Sequence, residues 1–224
     1  MRRLLERQQF LRALETSGLL VWRGDESALD VGSGAGEQSL LLAQRVARVV
    51  ALDPYIEPRD ALRTWKANGR GNITYRATTL AKLWDDSFDL IASYLGVYYA
   101  DLARLPLILA RTLRRGGSFF ALCPRFWFHP GASLEPAERA LQAYASLNPA
   151  VRVAFDVRLA SSGLSVIETP PLNLPRVPVA NVLRISGCVQ AATPTGIERI
   201  LTELKLDYAH PLPTTLLAVR FQNL

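Results

Sequence analysis

The sequence predicts an α/β protein built on a doubly wound, mostly parallel sheet. Short apolar segments alternate with helical segments over the first half of the chain, as in successive βαβ units. The 224 residues are enough for one domain with a buried core, and 49% hydrophobic with 21% charged residues is typical of a folded protein. A glycine-rich turn after the first apolar segment lies where such sheets bind ligands.

An amphipathic helix is predicted over residues 3–17, because leucines recur there at helical spacing and Gly18 follows as a terminator. Strands are predicted at 28–31, 49–52, 73–75, 88–92 and 118–123. The segments between them predict helices at 37–47, 60–67 and 101–113. Gly116 and Gly117 are assigned to the connection between the last of these helices and the fifth strand.

In the second half of the chain, apolar and helical segments alternate less regularly. We predict a helix at 136–146, a strand near 164–168 and a proline-interrupted stretch at 169–178. Thr193 is expected to cap a helix that has Pro194 at its first position and runs to about Leu206. A strand at 214–221 closes the chain. Without an internal repeat or a linker, residues 1–224 are predicted to form a single domain.

Charge and cysteine content limit the classes of function. The net charge is +6, but the basic residues are scattered without a run longer than two, which favours a solvated surface over a nucleic-acid-binding face. Cys123 and Cys188 are too few for a disulfide framework and are expected to be buried, reduced thiols. The chain shows neither a secretory signal nor an apolar span of membrane length, so we expect a soluble, cytoplasmic protein.

The glycine-rich turn is the most informative segment. Glu37 occupies the position where a dinucleotide-binding fingerprint needs glycine, and the turn lacks the lysine of a P-loop. What remains is an acid followed by G-x-G-x-G, and it resembles motif I of class I S-adenosylmethionine-dependent methyltransferases, specifically the small-molecule, type 11-like group. This segment reads Asp30-Val31-Gly32-Ser33-Gly34-Ala35-Gly36.

Three further segments carry the same resemblance. Asp53 ends the second predicted strand, where a carboxylate can accept hydrogen bonds from both hydroxyls of a ribose. Residues 87–91 look like the family's fourth-strand motif, and residues 113–117 look like the turn before its fifth strand. One position departs from the family, since Thr78 stands where many relatives have an acid for the adenine amino group.

The resemblance implies a Rossmann-like, seven-stranded, mostly parallel sheet with helices on both faces and an antiparallel last strand. It also implies S-adenosyl-L-methionine as cofactor, S-adenosyl-L-homocysteine as product and no metal. The N-terminal helix (1–18) would lie over the cofactor site, with a cofactor-binding core at 28–123 and a substrate-side segment at 125–190. Its cofactor-binding residues would be Asp30, Gly32, Ser33, Gly34, Gly36, Asp53, Pro54, Thr78, Thr79, Leu80, Ser93 and Tyr94.

The acceptor side is less defined. Methyl transfer from a sulfonium is a direct displacement, so a general base matters only when the acceptor starts out protonated. The candidates are His129, one of two histidines, together with Tyr98 and Tyr99 in the loop after the fourth strand. Each is also compatible with a purely structural role, His129 as a loop residue and the tyrosines as aromatic packing.

The leading hypothesis is a methyltransferase that acts on a small molecule as a monomer or homodimer, without a nucleic-acid or membrane partner. Two alternatives stay open. The positive charge permits an RNA substrate, although the chain lacks an Asn-Pro-Pro-Tyr motif, a catalytic cysteine motif and an added RNA-binding domain. Thr78 and the lack of an obvious base permit a non-catalytic binding or partner module of the same fold.

Overall fold

The computed structural model describes residues 2–54, 63, 65, 69, 71–83, 87–97, 103–125, 135–142, 158–185 and 194–222. Helices in this part of the chain are α1 (Arg2–Thr16), α2 (Glu37–Leu42), α3 (Leu105–Thr112), α4 (Pro136–Gln142), α5 (Val179–Ile185) and α6 (Pro194–Glu203), with a 3₁₀ turn at Leu80–Lys82. The strands are β1 (Ser27–Val31), β2 (Arg48–Leu52), β3 (Ile73–Arg76), β4 (Phe88–Tyr94), β5 (Leu113–Pro124), β6 (Leu164–Val166), β7 (Val177–Pro178), β8 (Pro211–Leu212) and β9 (Thr214–Phe221).

Seven of the strands form one sheet in the order β3-β2-β1-β4-β5-β9-β6. Strands β1 to β5 are mutually parallel, and β9 runs antiparallel to both β5 and β6. The predicted doubly wound sheet with an antiparallel last strand is therefore confirmed. Strand order reverses beside β1, so the carboxyl ends of β1, β2 and β4 meet at the edge where such sheets bind ligands.

The central strands are buried along most of their length, as parallel strands covered on both faces must be. Helix α1 packs on this core through Phe10, Leu11 and Leu14, each at most 2% exposed. Leu4 and Leu5, at the start of the predicted apolar stripe, are 39% and 55% exposed. The helix is thus anchored by its second half.

Several predicted boundaries were wrong, and contacts across the fold explain two of them. Helix α2 ends at Leu42 rather than Ala47. The Asn72 side chain donates hydrogen bonds to the carbonyls of Ala43 and Val46, so these carbonyls do not accept from N–H groups of a longer helix. Gly116 and Gly117 lie inside β5, at its register irregularity against β4, rather than before the strand. A Cβ on Gly117 would lie 2.8 Å from the Arg114 carbonyl oxygen, so the irregularity requires glycine.

The other predicted elements are present where the structure describes them, although α3 (Leu105–Thr112) and β6 (Leu164–Val166) are shorter than the predicted spans 101–113 and 164–168. The helix predicted at 60–67 is represented only by Arg63 and Trp65, both helical, and the remainder lies outside the described residues. The same holds for residues 143–146 and for Thr193 and Cys188. Cys123 is a buried free thiol, as expected. Helix α6 ends at Glu203, short of the predicted Leu206.

Candidate functional site

The glycine loop joins β1 to α2 at the carboxyl edge of the sheet. Gly32, Gly34 and Gly36 have φ angles of 72°, 55° and 88°, a left-handed conformation that residues with a side chain rarely adopt. The backbone N–H groups of Gly32 and Ser33 both donate to the Leu52 carbonyl, at 2.8 and 3.1 Å. The loop is therefore tied to the end of β2.

The three glycines face different surroundings. A Cβ on Gly32 would lie 2.7 Å from Cα of Gly96, and a Cβ on Gly36 would lie 2.3 Å from Nε1 of the buried Trp65. Gly34 has no heavy atom of the described structure within 4 Å of the same position. Gly32 and Gly36 thus serve close packing inside the protein, whereas Gly34 borders open space that a ligand can occupy.

Asp53 connects the end of β2 to this loop. Its Oδ2 accepts a hydrogen bond from the backbone N–H of Gly34 at 2.9 Å, and the side chain is largely buried. The hydroxyl of Tyr75 donates to the Asp53 carbonyl at 2.6 Å. The Gly34 N–H thus holds the carboxylate and Tyr75 holds the backbone of the same residue, so the carboxylate is pre-organised to accept further hydrogen bonds from a ligand.

A cavity of about 190 Å³ opens beside Asp53. Six residues predicted for the site line it, namely Gly32, Asp53, Pro54, Thr78, Thr79 and Leu80. Sequence reasoning missed four more lining residues, Val31, Leu52, Ala81 and Gly96. Val31 and Leu52 directly precede the predicted residues Gly32 and Asp53 in the chain, whereas the proximity of Gly96 to Gly32 depends on the pairing of β1 with β4. The walls are mainly apolar, and Asp53 supplies a carboxylate.

Asp30, the acid of the motif, lies behind the loop rather than among the described residues that line the cavity. It is 1% exposed, and its two carboxylate oxygens accept hydrogen bonds from Gln38 Nε2 at 2.9 Å and Ser39 Oγ at 2.6 Å. Asp30 therefore holds the first turn of α2 against β1. Burial raises the pKa of its carboxyl from 3.8 to about 6, although both hydrogen bonds favour the charged form.

This pKa predicts a pH-dependent stability. Because the folded protein binds the Asp30 proton more tightly than the unfolded chain does, the free energy of unfolding falls as pH rises from about 4 to 6, by roughly 3 kcal/mol for this group alone. Asp30→Asn is expected to lack this fall, and Asp25→Asn, at an exposed acid, to retain it. Urea unfolding of the three proteins between pH 4 and 7 measures the difference, and equal pH slopes in all three would contradict the assignment.

Ser93 and Tyr94 end β4 beside the loop. The Ser93 hydroxyl donates to the Val31 carbonyl at 3.0 Å and accepts from the Gly96 N–H at 3.2 Å, and the residue is fully buried. Ser93 therefore joins the ends of β1 and β4 and is not among the described residues that line the cavity. Tyr94 is 6% exposed, and its hydroxyl donates to Glu6 of α1 at 3.3 Å.

Several polar atoms around the glycine loop lack hydrogen bonds. Ser33 Oγ, Glu37 Oε2 and Gln38 Oε1 are buried and have no partner in the described structure. Orphaned buried polar atoms cost free energy, and a ligand with complementary polar groups would relieve that cost. Together with the open space beside Gly34, these atoms fit a ligand with two parts. One part would place hydroxyl groups at Asp53 and apolar surface against the cavity walls, and the other part would place polar groups over the glycine loop.

The candidate acceptor-side residues His129, Tyr98 and Tyr99 lie outside the described residues. Within the described ranges, acids, histidines and cysteines do not gather into a group of three or more that would ligate a metal ion. No helix in the described part of the chain has the length and hydropathy to cross a membrane.

Comparison with known proteins agrees with this geometry. Residues 29–121 match a family model described as a methyltransferase domain, a segment that runs from the middle of β1 to the last third of β5. No curated protein matches the chain significantly.

Solved structures share the fold over nearly the whole chain. The YcgJ protein from Bacillus subtilis has a TM-score of 0.67 at 18% identity, covering 95% of this chain and 99% of that one. A geranyl diphosphate C-methyltransferase from Streptomyces coelicolor A3(2), solved with Mg²⁺, geranyl diphosphate and S-adenosyl-L-homocysteine, has a TM-score of 0.60 at 18% identity, covering 95% and 78%. The [4+2]-cyclase SpnF has a TM-score of 0.61 at 16% identity, covering 97% and 80%.

Proposed function

We propose that the protein transfers a methyl group from S-adenosylmethionine to a small-molecule acceptor. Residues 29–121 match a family model described as a methyltransferase domain, and the chain shares its fold with a solved methyltransferase. The domain match and the fold both support an enzyme. A structural relative solved with the product S-adenosyl-L-homocysteine supports the choice of cofactor.

One observation carries the proposal. Six residues chosen from sequence motifs on separate segments meet around a single cavity at the carboxyl edge of the sheet. Asp53 would accept hydrogen bonds from the ribose hydroxyls, and the apolar walls formed by Leu52, Pro54 and Leu80 would cover the adenine. Thr78 would offer a neutral hydroxyl to the base, where a charged acceptor would bind the amino group more strongly.

When bound, S-adenosylmethionine supplies an electrophilic methyl group on a sulfonium. The chain's own residues then have to hold the acceptor in line with that group and exclude water. His129, Tyr98 and Tyr99 are proposed for the acceptor side, His129 as a base if the acceptor is a hydroxyl or a thiol. In that case His129→Gln lowers kcat by about 10²-fold or more while cofactor affinity stays unchanged.

Calorimetric titration of the purified protein with S-adenosylmethionine and with S-adenosylhomocysteine tests the proposal. We expect micromolar dissociation constants, about −8 kcal/mol, for both compounds. Incubation with panels of small hydroxyl, amine, thiol and activated-carbon compounds then identifies the acceptor by formation of S-adenosylhomocysteine. Absence of binding to either compound would contradict the proposal.

Two other outcomes identify the alternatives. Binding without turnover on any acceptor favours a non-catalytic module or another reaction on the same fold, for which the cyclase among the structural relatives is a precedent. An RNA substrate is favoured if the protein binds RNA with an affinity that falls steeply as salt rises, since phosphate contacts release counterions. The net charge of +6 is the observation behind that alternative.

A further inference from the structure

Helix α1 places a guanidinium beside the glycine loop. Cζ of Arg7 lies 4.7 Å from the ring centroid of Tyr94, and Nη2 lies 3.9 Å from Oε2 of Glu37, the residue that directly follows Gly36. The Arg7 side chain is only 12% exposed. Phe10, one helical turn further along α1, packs edge-on against the same tyrosine at 6.1 Å. The buried second half of α1 thus fixes the position of Arg7.

The Arg7–Glu37 pair is incomplete. A separation of 3.9 Å lies within the range of an ion pair but beyond that of a hydrogen bond, and Glu37 Oε2 is buried without a hydrogen-bond partner among the described residues. Arg7 donates from Nη1 to the Arg3 carbonyl at 3.2 Å, which uses only part of its fork of five donors. Both groups therefore retain unused hydrogen-bonding capacity at a largely buried position.

The chemistry of the proposed cofactor has two parts with different requirements. Its adenosyl part is uncharged, and the mainly apolar cavity with Asp53 suits it. Its amino-acid part is a zwitterion and needs a cation for the carboxylate and an anion for the ammonium group. The Gly34 N–H is bonded to Asp53, and Gly34 borders open space, so a ligand that extends from Asp53 across the loop approaches Glu37.

We propose that Arg7 and Glu37 form a zwitterion subsite in which Arg7 binds the carboxylate, and Glu37 the ammonium group, of the cofactor's amino-acid part. This inference rests on the proposed function and assigns to α1 a direct role in cofactor binding. A competing explanation is that the pair only fastens α1 to the domain. The two explanations differ in which ligands a substitution affects.

Titration with two ligands separates these explanations. S-adenosylhomocysteine carries the amino-acid part, whereas 5′-deoxy-5′-methylthioadenosine keeps the adenosyl thioether and lacks it. Arg7→Ala is expected to weaken S-adenosylhomocysteine binding by about 10- to 100-fold, the size of a lost charge-assisted hydrogen bond, and to leave methylthioadenosine binding unchanged. Equal weakening of both ligands would show a structural role and overturn the proposal.

Three further variants sharpen the result. Arg7→Lys is expected to recover part of the S-adenosylhomocysteine affinity, because it keeps the charge but loses the planar fork. Glu37→Gln is expected to weaken S-adenosylhomocysteine alone. Arg12→Ala removes an exposed arginine from the same helix and is expected to change neither affinity.

If the wild-type protein binds both ligands equally, the subsite is refuted while the proposed function stands, and if it binds neither, the proposed function itself fails.

Discussion

Gly36→Ala is expected to lower the free energy of unfolding by roughly 2–5 kcal/mol, whereas Gly34→Ala, in the same loop, is expected to cost only about 1–2 kcal/mol. Both residues have positive φ, so both substitutions carry the cost of a left-handed alanine. At Gly36 the new Cβ would also lie 2.3 to 2.8 Å from three atoms of the Trp65 indole, whose Nε1 donates to the Gly36 carbonyl at 3.4 Å. A buried tryptophan has little room to move aside.

Gly34→Ala is instead expected to affect the ligand. Its Cβ would project into the open space of the loop, and a methyl group in a ligand's contact surface costs about 1–3 kcal/mol, or about 5- to 150-fold in affinity for S-adenosylhomocysteine. Urea unfolding and calorimetry on the same preparations measure both effects. Gly24→Ala is the matched control, because Gly24 has φ 94° and open surroundings but lies outside the loop.

The comparison with Gly24→Ala makes both expectations refutable. If Gly36→Ala costs no more stability than Gly24→Ala, then the contact with Trp65 is not tight. If Gly34→Ala binds S-adenosylhomocysteine as well as wild type does, then the open side of the loop is not a ligand surface.

Asp53→Ala is expected to weaken S-adenosylhomocysteine binding by about 100-fold or more, because each charge-assisted hydrogen bond to a ribose hydroxyl contributes about 1.5–3 kcal/mol. The variant also loses the acceptor for the Gly34 N–H, which loosens the loop. Asp53→Asn keeps the shape of the side chain and is expected to lose about 10- to 100-fold. Asp25→Asn removes an acid that is 80% exposed and is expected to change nothing.

A ligand analogue shows whether Asp53 acts on the ribose itself. Wild type is expected to prefer S-adenosylhomocysteine over its 2′-deoxy analogue by about tenfold or more, and Asp53→Ala is expected to lose this preference. If the variant keeps the preference, Asp53 supports the loop without contacting the hydroxyls. Thermal unfolding of the free proteins checks that Asp53→Ala remains folded.

Features that depend on residues close together in the chain were predictable from the sequence. The alternation of apolar and helical segments follows local periodicity, and it yielded the five parallel strands, whereas the antiparallel direction of the last strand came from the family resemblance. The spacing of the glycines and the position of Asp53 at a strand end are local as well, and they identified Gly32 and Asp53 in the cavity wall, whereas Thr78 and Thr79 came from the family resemblance. The wrong boundaries of α2 and β5 arise from contacts across the fold, with Asn72 and with the β4 carbonyls.

The sequence by itself therefore determined the fold class, the glycine loop and the carboxylate that faces the cavity, since each depends on residues close together in the chain. Only the tertiary structure decided how these parts act. It brought Gly96 against Gly32, turned Asp30 inward to Gln38 and Ser39, left Gly34 as the open glycine and laid Arg7 beside Glu37. Each of these depends on which strands pair and how α1 packs, and a local sequence pattern does not encode contacts between distant segments.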